Sequence, residues 1–178
     1  TLPTLYFQDP VLRRAIDAAN RQSGGRTIYA PSLTGSLDAM RAGTEAAREA
    51  GVGALMMAPM VSGVSTLAVV AREAGVPILA HPALAGATRI APPLLLGRLF
   101  RLFGADATIF PNAGGRFSYS PDTCAAIADG ARAPWHALAP AMPVPAGGLS
   151  GERGPRKAPA FRDDAVPLNR GHPLLAAD

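Results

Sequence analysis

Lysine is all but missing from this chain of 178 residues: Lys157 stands alone against sixteen arginines. No Gly-x4-Gly-Lys-Ser/Thr phosphate loop is present, and no serine sits in a Gly-x-Ser-x-Gly elbow, so two common routes to nucleotide binding and acyl transfer are excluded. Cysteine is nearly as scarce. Cys124 is the single one, which rules out an internal disulfide and agrees with a reducing, cytoplasmic setting. It falls among Thr123, Ala125 and Ala126 in an expected helix, as a small buried filler rather than a nucleophile. No Cys/His spacing suits zinc. Charged residues make up only 17% of the chain. The arginines (Arg41, Arg48, Arg72, Arg98 and Arg101 among them) are scattered along helices as solvated faces, where a nucleic-acid surface needs a dense basic stripe. No nucleic-acid partner is expected. No apolar run reaches the ~18–20 residues of a membrane span, and the first residues lack the charged-then-apolar pattern of a secretory leader.

What the chain has in plenty is short aliphatic runs; hydrophobic residues make up 48% of it. Val11–Gln22 reads as a helix closed by Gly24-Gly25, and Arg26–Ala30 as a strand ended by Pro31. Ser36 caps a helix that runs to Ala50 and stops at Gly51. A strand over Ala54–Met60 and a helix over Val64–Ala74 follow, with Gly75 as the stop. The phrase Arg48-Glu-Ala-Gly-Val52 returns as Arg72-Glu-Ala-Gly-Val76, and Leu102-Phe-Gly-Ala105 is a looser echo. Stop glycines 51, 75 and 104 lie 24 and 29 residues apart. Each precedes an apolar run of strand length. Strands apolar throughout, alternating with helices at this period, indicate parallel strands buried on both faces. Pro92-Pro93 opens a helix over Leu94–Phe103, a strand ends near Phe110, and Ser120-Pro-Asp122 starts a helix to about Ala131. Ala137–Val144 reads as a further strand, weakened by Pro140 and Pro143. Beyond Gly148 the chain is rich in Arg, Pro and Gly, with a possible last strand at Ala165–Leu168. The fold class expected is α/β, a partial (β/α)8 TIM barrel of about six parallel units, since a closed barrel takes about 250 residues.

The stretch from Val76 to Arg116 carries the best site. In a β/α barrel, groups just past the carboxyl end of a strand face the substrate. His81 follows five apolar residues, and Arg116 follows Asn112-Ala-Gly-Gly. His81 is either a proton carrier or phosphate ligand at a strand end, or a histidine hydrogen-bonded within its loop. Position alone does not separate these. Gly114-Gly115 before Arg116, and Gly147-Gly148, are either backbone amides for an anion or simple turns; two such loops at successive strand ends favour an anionic ligand. His136 precedes a strand and reads as structural. His172 has no partner in reach by sequence, and Asp163-Asp164 reads as a solvated turn rather than a metal pair.

Taken in order, Tyr29-Ala-Pro-Ser-Leu-Thr-Gly35, Val76-Pro-Ile-Leu-Ala-His81-Pro-Ala, Gly104-Ala-Asp-Ala-Thr-Ile-Phe-Pro and Met142-Pro-Val-Pro-Ala-Gly-Gly148 resemble the C-terminal barrel of the ribulose-bisphosphate carboxylase (RuBisCO) large chain, and look closer to its non-carboxylating relatives, the form IV RuBisCO-like proteins. The resemblance covers roughly residues 11–177 and implies the third through eighth barrel strands. On it, residues 1–10 are an unassigned segment and 11–178 an incomplete barrel domain. It implies that His81 is the family's active-site histidine, followed by Pro82 where carboxylases have arginine, and that Arg116 stands where they have a mobile-loop lysine. It implies phosphate binding by Ala146, Gly147 and Gly148, and by Gly171, although Asn169-Arg170 beside Gly171 obstructs close backbone approach. The implied cofactor is Mg2+, but the family's lysine and paired acids for it have no counterpart in this chain. The implied parent is a homodimer that enolises, isomerises or carboxylates a phosphorylated keto-sugar, such as a methylthio-pentulose phosphate. The expectation for this chain is an enzyme left catalytically incomplete. Its rivals are a non-catalytic gene fragment or interaction remnant, and an independent phosphate-binding α/β protein.

Overall fold

The computed structural model describes residues 28–113 and 119–147, together with 18, 21, 22 and 24. Five parallel strands form one sheet in chain order: β1 (Ser32–Leu33), β2 (Leu55–Met57), β3 (Ile78–Ala80), β4 (Ala107–Pro111) and β5 (Met142–Ala146). A helical connection lies between each successive pair: α1 (Leu37–Glu49), then α2 (Pro59–Ser62) with α3 (Val64–Ala74), then a helix in three pieces, then α6 (Pro121–Arg132). This is the β/α grammar expected of a partial barrel. Of the expected helix over Val11–Gln22 only Ala18, Arg21 and Gln22 are described, all three helical, and the last strand at Ala165–Leu168 lies outside the described residues.

Local chemistry sets the helix ends. Ser36 Oγ accepts from the Ala39 N–H at 3.3 Å, Asp38 sits in the first turn of α1 and Arg48 in its last, complementing the helix dipole. Gly75 closes α3 at φ 65°, a left-handed turn that glycine makes without strain. Ser120 caps α6 by accepting from Thr123 N–H at 3.1 Å.

Two strands fall elsewhere than expected. The first is β1, which lies beyond Pro31 rather than before it, and the Met56 N–H donates to Pro31 O at 2.8 Å. Proline lacks the N–H that a ladder uses, but at a strand start only its carbonyl is needed. The second, β5, runs over Met142–Ala146 and holds Pro143 and Pro145. Met142 N–H donates to Asp106 O, and Asn112 N–H to Ala146 O. Residues of a parallel strand turn their backbone groups to alternate sides, so both prolines face away from β4, where their missing N–H groups cost that ladder nothing.

The sheet separates two apolar clusters. Leu55, Met57, Ile78, Ala80 and Phe110 pack under the helices with Met40, Leu67, Val70, Leu96, Phe100 and Ile127. Ala107, Ile109 and Val144 form the other, with Met56, Leu79 and Ala146 partly buried against them. Alternation along each strand produces this division.

The helix between β3 and β4 departs from the expected regular element. It begins as α4 (Pro92–Leu94), widens to a π-helix over Leu95–Leu99 and ends as α5 (Phe100–Leu102). Gly97 in the π-helical turn meets Gly130 of α6 so closely that a Cβ on Gly97 would lie 2.8 Å from Ile127 O.

Arg101 is a correction to the reading of helix arginines as solvated. It is 4% exposed, and its guanidinium donates to four carbonyls, those of Ala131 (3.1 Å), Ala133 (2.7 Å), Leu138 and Ala139. A planar fork of five N–H groups suits such a cluster of carbonyl oxygens. Arg41, by contrast, is exposed and forms a two-bonded ion pair with Glu73, joining α1 to α3. Arg98 lies over the Trp135 ring, 6.0 Å from its centroid.

Candidate functional site

In a parallel sheet all strands end on the same side, so the segments leaving β1–β5 at their carboxyl ends share one edge. His81 directly follows β3, and its N–H donates to Met57 O at 2.7 Å, extending the β2–β3 ladder. Leu79 belongs to the smaller cluster and Ala80 to the larger, so alternation puts His81 on the face opposite the helices. The register puts Thr34, Ala58, Ile109 and Val144 at the corresponding level of the neighbouring strands. His81 is thus the one titratable side chain at this inward rim among the described residues.

The imidazole is oriented by its own loop. His81 Nδ1 accepts from the Ala83 N–H at 3.1 Å, so the neutral ring carries its proton on Nε2. The half-buried ring is therefore set to donate from Nε2. The loop then closes into a short 3-10 turn over Ala85–Ala87, with Ala85 N–H on Pro82 O and Thr88 Oγ1 on Ala85 O. Within it Leu84 takes φ 61°, a left-handed conformation that costs a residue other than glycine on the order of 1–3 kcal/mol.

On the far side of β4, Ala146 and Gly147 end β5. Ala146 O accepts from Asn112 N–H at 2.9 Å, and Gly147 turns the chain at φ 83° with none of the described residues within 4 Å of where a Cβ would stand. Two strand spacings and three residues of rise separate this turn from His81, roughly 14 Å. Of the residues expected to act, the structure thus brings His81, Ala146 and Gly147 to one edge. Gly114, Gly115, Arg116, Gly148 and Gly171 lie outside the described residues, as do His172 and Asp163-Asp164.

Other groups near the edge are held out of proton chemistry. The Cys124 thiol donates to Pro111 O at 3.5 Å, and burial pushes it above its ordinary value. Tyr119 is raised too, first by burial and then by Cys124. His136 is exposed in the turn before β5, at the opposite end of the sheet.

The resemblance to the family implies magnesium. Among the described residues no group of three or more His, Cys, Asp or Glu can hold a metal ion. The described residues do not fit the cation. Among them, likewise, no helix is long and apolar enough to cross a membrane.

Three structural features escaped the sequence reading. Arg101 is one and the strained Leu84 another. The third is Asp106, whose Oδ2 accepts from Ile78 N–H at 2.8 Å and stitches β3 to β4 at their amino ends. Its signal was an acid directly before an apolar strand, in Gly104-Ala-Asp106.

No protein-family model matches the chain. Among known proteins it is 50% identical over 169 residues to ribulose bisphosphate carboxylase-like protein 1 of Rhodopseudomonas palustris, covering 94% of this chain and 46% of that protein. It is 49% identical over 165 residues to the 5-methylthioribulose-1-phosphate isomerase of Rhodospirillum rubrum, covering 92% and 44%. The crystal structure of a Rubisco-like protein from Rhodopseudomonas palustris superimposes with a TM-score of 0.84 at 49% identity, over 88% of this chain and 45% of that one. The chain spans less than half the length of each.

Proposed function

The chain belongs to the RuBisCO-like protein family, and from that membership we propose that it is the phosphate-binding part of an enzyme that isomerises or enolises a methylthio-substituted keto-sugar phosphate. The observation that carries the reading is His81, among the described residues the single titratable side chain at the inward rim, with its proton directed to Nε2 by the Ala83 N–H. Such a group can donate a hydrogen bond to a phosphate or carbonyl oxygen. The similarity to a 5-methylthioribulose-1-phosphate isomerase supports the substrate class. Arg116 would act beside His81 as the second catalytic residue in this reading, Gly114-Gly115 and Ala146-Gly147-Gly148 would hold the phosphate, and Gly171 would add an amide.

Enolisation beside a carbonyl needs a base to take the carbon-bound proton and a positive group to hold the enolate charge. His81 can serve one of these roles but not both at once. A cytoplasmic homodimer is the expected working form. The chain of 178 residues alone would bind the sugar phosphate without turning it over.

Calorimetric titration with 5-methylthioribulose 1-phosphate tests this. Saturable one-site binding with no isomerised product by NMR is expected, and carboxylation of ribulose bisphosphate with magnesium and bicarbonate should stay at background. Absence of binding would sink the proposal, and measurable turnover by the isolated chain would refute its incompleteness.

A further inference from the structure

Among the described residues, positions of positive φ are glycine, with two exceptions. Positive φ occurs at Gly24, Gly35, Gly51, Gly63, Gly75, Gly104 and Gly147, and otherwise, among the described residues, only at Leu84 (φ 61°) and His136 (φ 50°). Histidine is among the types that tolerate this region, whereas a bulky apolar residue does not. Leu84 is therefore the genuine outlier, and no packing explains it: it is 61% exposed. The backbone around it is what holds the turn. Ala85 N–H donates to Pro82 O at 3.0 Å, Ala87 N–H to Leu84 O at 3.1 Å, and Ala85 is buried as the anchor. Glycine would make the same turn without strain, so the leucine side chain does nothing for the fold that exposes it.

Its place narrows what it is for. Leu84 lies three residues beyond His81 in the loop leaving the carboxyl end of β3, where loop residues of this architecture meet ligands. The bond from Ala83 N–H to His81 Nδ1 ties that loop to the imidazole. We infer that Leu84 is a specificity-determining residue of the same site, covering the apolar, non-phosphate end of the bound sugar phosphate; this rests on the function proposed above. The ligand, in shielding the side chain from water, recovers the apolar surface that the free protein leaves exposed.

The test compares the unaltered chain with Leu84→Gly and Leu84→Asn, both of which tolerate the left-handed turn. Two probes are titrated by calorimetry, 5-methylthioribulose 1-phosphate and ribulose 1-phosphate, with thermal melting and sedimentation in parallel. Leu84→Gly should melt higher than the parent, and both variants should lose about tenfold in affinity for the methylthio probe, the scale of one apolar contact. Affinity for ribulose 1-phosphate should not move. An unchanged ratio between the probes overturns the inference while leaving the proposed function standing. An unchanged ratio with altered self-association would overturn it by making Leu84 an interface residue. If the unaltered chain binds neither probe, the proposed function falls and the inference with it.

Discussion

The two ends of the sheet are built differently. At the amino end, side chains tie backbone segments together: Asp106 joins β3 to β4, and Arg101 gathers the end of α6 and the segment leading into β5. At the carboxyl end, His81 bonds to its own loop, a Cβ at Gly147 would meet none of the described residues within 4 Å, and Leu84 holds a strained turn in solvent. One end is tied together by buried side chains, and the other is the end at which the proposed ligand would bind. That division is general to β/α barrels, and here it is readable in single hydrogen bonds.

Substitutions can break or sharpen the contrast. The largest effect is expected from Arg101→Ala, which strips a buried donor set from four carbonyls at about 1–3 kcal/mol for each that stays dry. A loss of roughly 3–5 kcal/mol in urea unfolding is expected, with sugar-phosphate affinity per folded molecule unchanged; a loss below about 1 kcal/mol would show that the amino end is not specially tied. Gly97→Ala should come next, near 2 kcal/mol, because its Cβ would meet backbone rather than a movable side chain. A crystal structure of that variant should show the π-helical segment displaced from α6. Asp106→Ala leaves one strand N–H without its acceptor and should cost about 1–2 kcal/mol, read as faster amide exchange at Ile78.

The smallest effect belongs to neither end. Arg41, by its hydrogen bond first and its charge after, holds the exposed Glu73 carboxyl below its ordinary value of 4.5. A depressed acid contributes stability that is fully present above the unfolded value and lost as pH falls through the folded one. Glu73→Gln should therefore leave the urea midpoint at pH 7 nearly unchanged and slightly flatten its decline below about pH 4.5. A larger change at neutral pH would show that this surface pair matters more than exposed pairs ordinarily do.

The elements that the sequence disclosed are those governed by neighbours a few residues apart. Ser36 with Asp38, Ser120 with Asp122, and the glycines after α1 and α3 announce helix ends because caps and left-handed stops are local. Pro31 and Pro143 misled, since whether a proline harms a strand depends on which way its missing N–H would have pointed. That direction is a property of the ladder. His81 was legible as a strand-end histidine, but its tautomer was not, because Ala83 had first to fold back onto Nδ1.

Arg101 marks the boundary most clearly. Nothing within several residues of it distinguishes it from Arg98, yet one is buried among carbonyls and the other lies over an indole ring. The sequence alone determined a run of parallel β/α units, because hydrophobic period and turn chemistry are written in short spans, and its ordered phrases carried the resemblance to a family. Only the tertiary structure decided which arginine is buried, which proline is harmless and where backbone strain is held, because each depends on groups that meet from distant parts of the chain.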